Sequence, residues 1–182
     1  SMYMPERIRV TGEQNRTDQL LGYMAEYAPE LAAVYPKQEL MEASGTEEVY
    51  YASDTHWNRP GAGIAAAALF KKISLGTGGG WTPVSHSFDV MGTRTGDLQR
   101  LVQLGSSWNS TEREPADGFG RTVEEQKTDR SGDVIRETAA GSGSGVLPLK
   151  IYCTGDSFRW NLAPFIEENA AHSVITSRYY FD

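Results

Sequence analysis

Two short polar stretches carry the residue types that an acyl-transfer reaction requires. The first is Asp54-Thr55-His56, and the second, much later in the chain, is Gly155-Asp156-Ser157. A serine hydroxyl is a weak nucleophile near neutral pH and needs a base within hydrogen-bond reach. A carboxylate on the far side of that base fixes its tautomer and stabilises the cation that forms during attack. The pattern therefore predicts three catalytic residues: Ser157 as nucleophile, His56 as base and Asp54 as the orienting carboxylate.

The residues around these stretches could complete the site. Gly155 permits a sharp turn before a predicted helix, and Asp156 could cap that helix. Unpaired backbone N–H groups at a helix start favour developing negative charge, so this turn could supply part of an oxyanion hole. Neighbouring residues with a donor group or a flat ring are further candidates for oxyanion or substrate binding: Arg159, Asn58, Asn161 and Trp57. Two alternatives stay open: Arg159 could be solvated, and Trp57 could pack in the core instead of offering its ring face to a substrate.

A metal site is the competing reading of the same residues. Asp54, His56 and Asp156 could provide oxygen and nitrogen ligands. That reading leaves Ser157 without a role and lacks the further histidine or cysteine that a zinc site normally contains. We therefore expect no metal.

Composition limits the classes of function. The 182 residues, 39% hydrophobic and 23% charged, suit a single globular domain over 1–182. The longest low-polarity stretch, 61–70, is too short to cross a bilayer. The net charge of −7, without a cluster of lysine and arginine, disfavours nucleic-acid partners. The one cysteine, Cys153, is expected to be a small buried residue, and His86 and His172 are expected at the surface or at strand edges.

Apolar periodicity and turn residues predict alternating helices and strands. The predicted helices cover 17–28, 59–73, 96–104 and 159–169, and the predicted strands cover 31–35, 47–52, 119–127, 134–138, 147–154 and 173–178. Asn15 or Thr17 should cap the first helix and Asn58 the second. The strands 119–127 and 134–138 should form a hairpin, and 141–145 should be a flexible loop. Of the adjacent Tyr50 and Tyr51, one should be buried and the other could border the site.

This alternation predicts an α/β fold, a three-layer sandwich whose mostly parallel sheet is covered by helices on both faces. Ligands collect at the carboxyl ends of the strands in such sheets. Both polar stretches follow a predicted strand, so we expect the fold to bring them together.

The motifs resemble those of a known family. Gly155-Asp-Ser-Phe158 resembles the first sequence block of the SGNH hydrolase superfamily. Tyr51-Ala-Ser-Asp-Thr-His-Trp-Asn58, followed by Gly61-Ala62, resembles the Asp-x-His-Trp signature of the alginate O-acetyltransferase group, and Gly96-Asp-Leu98 is also similar to that group. The order, with Asp-x-His before Gly-Asp-Ser, resembles a circular permutation of ordinary SGNH esterases. The resemblance covers roughly 50–182.

The resemblance implies an SGNH-like, circularly permuted fold that lacks edge or terminal strands, in a piece of a longer chain. Ser1-Met2 indicates that the natural N-terminus has been removed. The implied reaction moves acetyl groups, through an acetyl-serine on Ser157, onto hydroxyls of an exopolysaccharide in the periplasm, outside the cell or at its surface. It needs no cofactor: the acetyl donor is a co-substrate that a membrane protein could deliver, and the polysaccharide is the acceptor.

Two alternatives remain open from the sequence. If water replaces the sugar, the same three residues make a carbohydrate acetylesterase, and the difference lies in how well the site excludes water. A non-catalytic carbohydrate-binding or scaffolding module could also retain these motifs as structure.

Overall fold

A computed structural model describes residues 15–120, 122–128, 134–139 and 146–176. The helices are α1 (Arg16–Tyr27), α2 (Lys37–Ala43), α3 (Arg59–Gly76), α4 (Asp97–Leu101) and α5 (Arg159–Asn169), with a 3-10 turn at Ser106–Trp108. The strands are β1 (Phe88–Arg94), β2 (Ser110–Pro115), β3 (Thr122–Thr128), β4 (Val134–Ala139), β5 (Leu147–Thr154) and β6 (Ala170–Thr176). Helices and strands are mixed along the chain, which confirms the predicted α/β class.

The strands form two sheets. β1 and β2 pair antiparallel in a two-stranded sheet, and the other strands follow the order β3-β4-β6-β5. In the larger sheet β5 and β6 are parallel, whereas β3 with β4 and β4 with β6 are antiparallel. The described sheet is therefore mixed and not mostly parallel, because the predicted hairpin forms as β3–β4 and adds to β6 in the antiparallel direction.

The core lies between the parallel strands and two helices. α5 packs on β5 and β6, and α3 packs on α5. Small residues of α3 allow this close approach, and the buried cluster comprises Ala62, Ala66, Phe70, Leu147, Ala163, Phe165, Ile166 and Ile175. On β5 the side chains alternate, with Leu147 buried and Pro148, Lys150 and Tyr152 exposed. Within the described residues no helix covers the face of β5 that carries Pro148, Lys150 and Tyr152, in contrast to the expected cover on both faces.

Several predicted elements are confirmed. The side chain of Asn15 caps α1 by accepting a hydrogen bond from the Asp18 N–H at 2.8 Å. Asn58 caps α3 by accepting from the Gly61 N–H at 3.0 Å. The predicted loop 141–145 and the end of the last predicted strand, 177–178, lie outside the described residues. No helix in the described part of the chain is long and apolar enough to cross a membrane.

Two predicted strands near the N-terminus are wrong. Residues 31–35 are irregular and lead into α2, which the sequence did not reveal. Residues 47–52 do not form a strand, because their strand-type pairing is limited to one isolated bridge between Tyr50 and Trp57. Backbone groups here bond to the loop that follows, since Tyr51 N–H donates to His56 O at 3.2 Å and Asn58 N–H donates to Val49 O at 3.3 Å. The segment therefore closes the loop instead of joining a sheet.

The two other histidines are less exposed than predicted. The His86 side chain is only 7% exposed, and its Nε2 lies 2.6 Å from Glu168 Oε2. His172 belongs to β6, which lies between β4 and β5 and is not an edge strand. Cys153 is half-buried and packs against the core, in line with the prediction for this residue.

Candidate active site

Three predicted catalytic side chains form one hydrogen-bonded chain. His56 Nδ1 lies 2.5 Å from Asp54 Oδ1, and His56 Nε2 lies 2.6 Å from Ser157 Oγ. A carboxylate accepts hydrogen bonds only, so the arrangement assigns the ring proton to Nδ1 and the free lone pair to Nε2. Asp54 is buried, whereas Ser157 is exposed. The geometry is thus suited to removing the Ser157 hydroxyl proton at a surface that a substrate can reach.

Both oxygens of the Asp54 carboxylate are held in place. Oδ1 also accepts a hydrogen bond from the His56 backbone N–H at 3.0 Å. Oδ2 accepts from the Asp97 backbone N–H at 3.1 Å and lies 3.7 Å from Arg94 Nη2. With both oxygens fixed, the carboxylate cannot turn away from the imidazole.

Asp97 braces the residue between Asp54 and His56. Its Oδ1 accepts from the Thr55 N–H at 2.8 Å, and its Oδ2 accepts from Thr55 Oγ1 at 2.5 Å. Burial acts to raise the pKa of Asp97, but the hydrogen bonds from Thr55 and Leu98 outweigh it and lower the pKa below its usual value. Asp97 was assigned no role from the sequence, although its place in Gly96-Asp-Leu98 is a signal that could have identified it.

Arg94 belongs to a second layer behind Asp54. Its guanidinium lies 4.5 Å from the centre of the Tyr51 ring, and its Nε lies 3.6 Å from Glu112 Oε2. The Tyr51 hydroxyl donates to Glu112 Oε1 at 2.9 Å. Burial, together with the Glu112 carboxylate, raises the pKa of Tyr51, so Tyr51 stays a neutral donor at physiological pH. Of the two adjacent tyrosines, Tyr51 is therefore the buried one, and Tyr50 is half-buried.

The turn that carries Ser157 is fixed from within. Asp156 Oδ1 accepts from the Phe158 N–H at 3.0 Å, which is the role in the turn predicted for Asp156. Arg159 is buried, donates from Nη1 to Gly155 O at 2.6 Å and to Asp156 O, and stacks 4.0 Å from the centre of the Trp160 ring. Arg159 is thus not a solvated side chain, and the carbonyls that it contacts belong to the serine turn.

The remaining predicted binding residues connect the two loops. Trp57 Nε1 donates to Phe158 O at 2.9 Å, and Asn161 Nδ2 donates to Trp57 O at 2.7 Å. Asn58 Nδ2 donates to Glu48 O at 2.6 Å, and Asn58 is buried. Because these donor groups bond to the protein itself, the geometry gives them structural positions and does not support the predicted oxyanion role for Asn58 or Asn161.

The residues that could hold a metal ion in the structure differ from those considered as metal ligands in the sequence. Ligand atoms of Asp54, His56 and Asp97 all lie within 4.8 Å of one another, and Asp156 is not among them. Ligands about 2.0–2.2 Å from an ion such as zinc lie roughly 3 Å or more apart. The 2.5 Å separation between His56 Nδ1 and Asp54 Oδ1 fits a shared proton better than a shared ion.

Comparison with known proteins places the chain in a family. Residues 4–175 match the family model described as ALGX, the SGNH hydrolase-like domain of the acetyltransferase AlgX. The chain therefore belongs to this family of SGNH hydrolase-like acetyltransferase domains. This membership confirms the predicted resemblance and the predicted class of enzyme, an O-acetyltransferase. No curated protein matches the sequence.

Solved structures share the fold at low sequence identity. A DHHW family protein from Eubacterium siraeum has a TM-score of 0.70 at 16% identity, over 99% of this chain and 66% of that one. Bacillus cereus PatB1 has a TM-score of 0.66 at 15% identity, over 100% of this chain and 70% of that one. The O-acetyltransferase domain of Pseudomonas putida AlgJ has a TM-score of 0.50 at 16% identity, over 87% of this chain and 51% of that one. The chain thus spans about two thirds of the length of the first two and half of the third.

Proposed function

We propose that this chain transfers acetyl groups, through an acetyl-serine intermediate on Ser157, onto hydroxyls of a polysaccharide in the periplasm or outside the cell. The observation that carries the proposal is the continuous chain from Asp54 through His56 to the exposed Ser157 hydroxyl, with separations of 2.5 and 2.6 Å. Family membership supports an acetyl group as the group that is transferred. We infer the polysaccharide acceptor and the location outside the cytoplasm from membership of the AlgX family and from the fold shared with AlgJ.

The reaction proceeds in two halves. In the first, Ser157 Oγ attacks the carbonyl carbon of the acetyl donor while His56 Nε2 takes the hydroxyl proton. The bond between the acetyl carbon and the leaving group breaks, and the leaving group receives that proton from His56. In the second, His56 takes the proton of a sugar hydroxyl, whose oxygen attacks the acetyl-serine, and Ser157 Oγ leaves and regains a proton. Asp54 stabilises the imidazolium formed in each half.

The oxyanion that forms in each half needs hydrogen-bond donors. The backbone N–H of Phe158 bonds to Asp156 Oδ1 and that of Arg159 to Asp156 O, so neither points to substrate. The Ser157 N–H has no acceptor among the described residues and lies at the start of α5, where the helix dipole favours negative charge. We assign it as one oxyanion donor; a single donor of this kind is worth about 100- to 1000-fold in rate.

No cofactor enters this mechanism, because every proton moves between Ser157, His56 and the two substrates. The acetyl donor is a co-substrate, and a membrane protein that delivers it is the partner we propose. The net charge of −7 suits a neutral acceptor better than a polyanion.

Hydrolysis of carbohydrate acetyl esters is the second candidate function. Ser157 is exposed, so water as well as a sugar hydroxyl can reach an acetyl group on Ser157. The two reactions share the acetyl-serine and differ only in the acceptor.

The test uses a chromogenic acetyl ester, with and without oligosaccharides. We expect turnover that Ser157→Ala abolishes and that the exposed control Ser107→Ala leaves unchanged. Acetylated oligosaccharide, detected by mass spectrometry, would identify a transferase, and acetate alone would identify an esterase. A folded protein with neither turnover nor an acetyl-serine adduct would refute both and favour a carbohydrate-binding module.

A further inference from the structure

A segment from a distant part of the chain packs closely against the Asp54–His56 loop. Gly96 lies so near the loop that a Cβ atom built on it would be 1.9 Å from Ser53 O. The Gln99 N–H donates to the same carbonyl at 3.2 Å. The start of α4 and the catalytic loop therefore form one tightly packed unit.

Within this unit Asp97 contacts both Asp54 and Thr55. Its carboxylate accepts two hydrogen bonds from Thr55, at 2.8 Å from the backbone N–H and at 2.5 Å from Oγ1. Its own backbone N–H donates to Asp54 Oδ2 at 3.1 Å. Thr55 separates Asp54 from His56, so fixing Thr55 restricts the rotation of the peptide that joins the two.

We propose that Asp97 is a positioning residue for acyl transfer: by holding Thr55, it keeps the Asp54–His56 pair aimed at Ser157. This inference rests on the proposed function, because it assigns Asp97 a task in the same reaction. Asp97 does not touch the nucleophile and moves no proton. Its effect arises because a misplacement of about 1 Å in a reacting group can reduce the rate about 100-fold.

The solvent exposure of Asp97 and Thr55 distinguishes a positioning role from a contribution to folding stability. The Asp97 side chain is 43% exposed and Thr55 is exposed. Hydrogen bonds and charge pairs in contact with solvent contribute little to folding, because water replaces them on unfolding. Loss of the Asp97 carboxylate should therefore lower the turnover number far more than it lowers the unfolding midpoint.

The first test measures acetyl ester turnover in Asp97→Ala, Thr55→Val and the double variant. We expect each single change to lower kcat about 10- to 100-fold, with KM changed less than about threefold. The double variant should be close to Asp97→Ala, because the hydrogen bond from Thr55 Oγ1 to Asp97 that Thr55→Val removes is already lost in Asp97→Ala. Thr55→Ser, which keeps the hydroxyl, should recover most of the rate lost in Thr55→Val, and Asp117→Ala, which removes an exposed turn carboxylate, should match the wild type.

Several outcomes would overturn the inference. Wild-type kcat in Asp97→Ala, in an enzyme that Ser157→Ala inactivates, would refute it while leaving the proposed function intact. Independent, multiplying losses in the double variant, or equal rates for Thr55→Ser and Thr55→Val, would also refute it.

A second measurement tests the positioning role of Asp97 without measuring turnover. The imidazole N–H proton that His56 shares with Asp54 gives an NMR resonance that depends on their alignment. We expect this resonance to shift or to broaden by exchange with water in Asp97→Ala and to stay in place in Asp117→Ala. An unchanged resonance would refute the positioning role, whereas a wild type without turnover would refute the proposed function alone.

Discussion

Replacing Gly61 with alanine should destabilise the protein, although helix propensity predicts the opposite. Gly61 lies in the first turn of α3, where alanine is favoured over glycine by up to about 1 kcal/mol. A Cβ at this position would lie 1.9 Å from Val49 O, whereas real contacts of this kind exceed 3.0 Å. The backbone at Val49 would have to shift and lose its hydrogen bond from the Asn58 N–H.

The steric cost exceeds the gain. Forcing a methyl group into a filled space costs about 3 kcal/mol, and the lost hydrogen bond adds about 1 kcal/mol. After the propensity gain of about 1 kcal/mol, Gly61→Ala should lower the free energy of unfolding by about 3 kcal/mol. In a chain of this length that corresponds to a fall of about 6–12 °C in Tm.

Urea and thermal unfolding followed by circular dichroism would measure this effect. Gly22→Ala is the matched control, because Gly22 lies inside α1 and a Cβ there would meet nothing within 4 Å. The control should gain about 1 kcal/mol, or about 2–4 °C in Tm. A Gly61→Ala protein as stable as the wild type would show that Val49 is not held where the structure places it, and the reasoning would fail.

Three further predictions concern the surroundings of the site. Gly96→Ala should lower kcat for an acetyl ester by about tenfold or more, because its Cβ would lie 1.9 Å from Ser53 O; Gly105→Ala, with nothing within 4 Å, is the control, and equal rates would contradict the packing. Burial raises the pKa of Cys153, so iodoacetamide at pH 8 should label it much more slowly than free cysteine; equal labelling rates would contradict its burial. Although burial opposes it, hydrogen bonding lowers the pKa of Asp97 in the folded state, so its contribution to stability is present above the unfolded pKa of about 3.9 and is lost as pH falls further. Because the side chain is 43% exposed, the difference in unfolding free energy between wild type and Asp97→Asn should be small at pH 7 and should shrink further towards pH 3. A difference that grows as the pH falls would contradict this sign.

The hydrogen-bonded chain of Asp54, His56 and Ser157 was predictable because the two motifs that carry it are short and chemically distinctive. Asp54 and His56 lie two residues apart, and Ser157 follows a strand that reads clearly as apolar. Their meeting required only that both loops lie at one end of the fold. Asp97 was missed because its hydrogen bonds to Thr55 depend on a contact between segments 42 residues apart. An aspartate in the first turn of a short helix is also explained by its favourable interaction with the helix dipole.

The wrong strand assignments have a different cause. Residues 31–35 and 47–52 contain valine and tyrosine, which favour strands, but a strand also needs a partner. In 47–52 the backbone partners belong to the Asp54–His56 loop itself, as in the bond from Tyr51 N–H to His56 O. His86 was placed at the surface for a similar reason, since its partner Glu168 lies 82 residues away and no spacing in the sequence links them.

The meeting of the Asp54–His56 loop and the Ser157 turn depends on hydrogen bonds that sequence patterns do not specify. Arg59 Nη1 donates to Trp160 O at 3.3 Å and to Asn161 O at 3.2 Å, so the start of α3 is tied to the start of α5. The indole of Trp57 and the amide of Asn161 close the same junction from its other side. These groups donate hydrogen bonds to backbone carbonyls near the site and fix the starts of α3 and α5 relative to one another. The His56 imidazole and the Ser157 hydroxyl therefore lie within hydrogen-bond distance. The Trp of the Asp-x-His-Trp motif therefore has a structural role at this junction, because its ring nitrogen donates to Phe158 O.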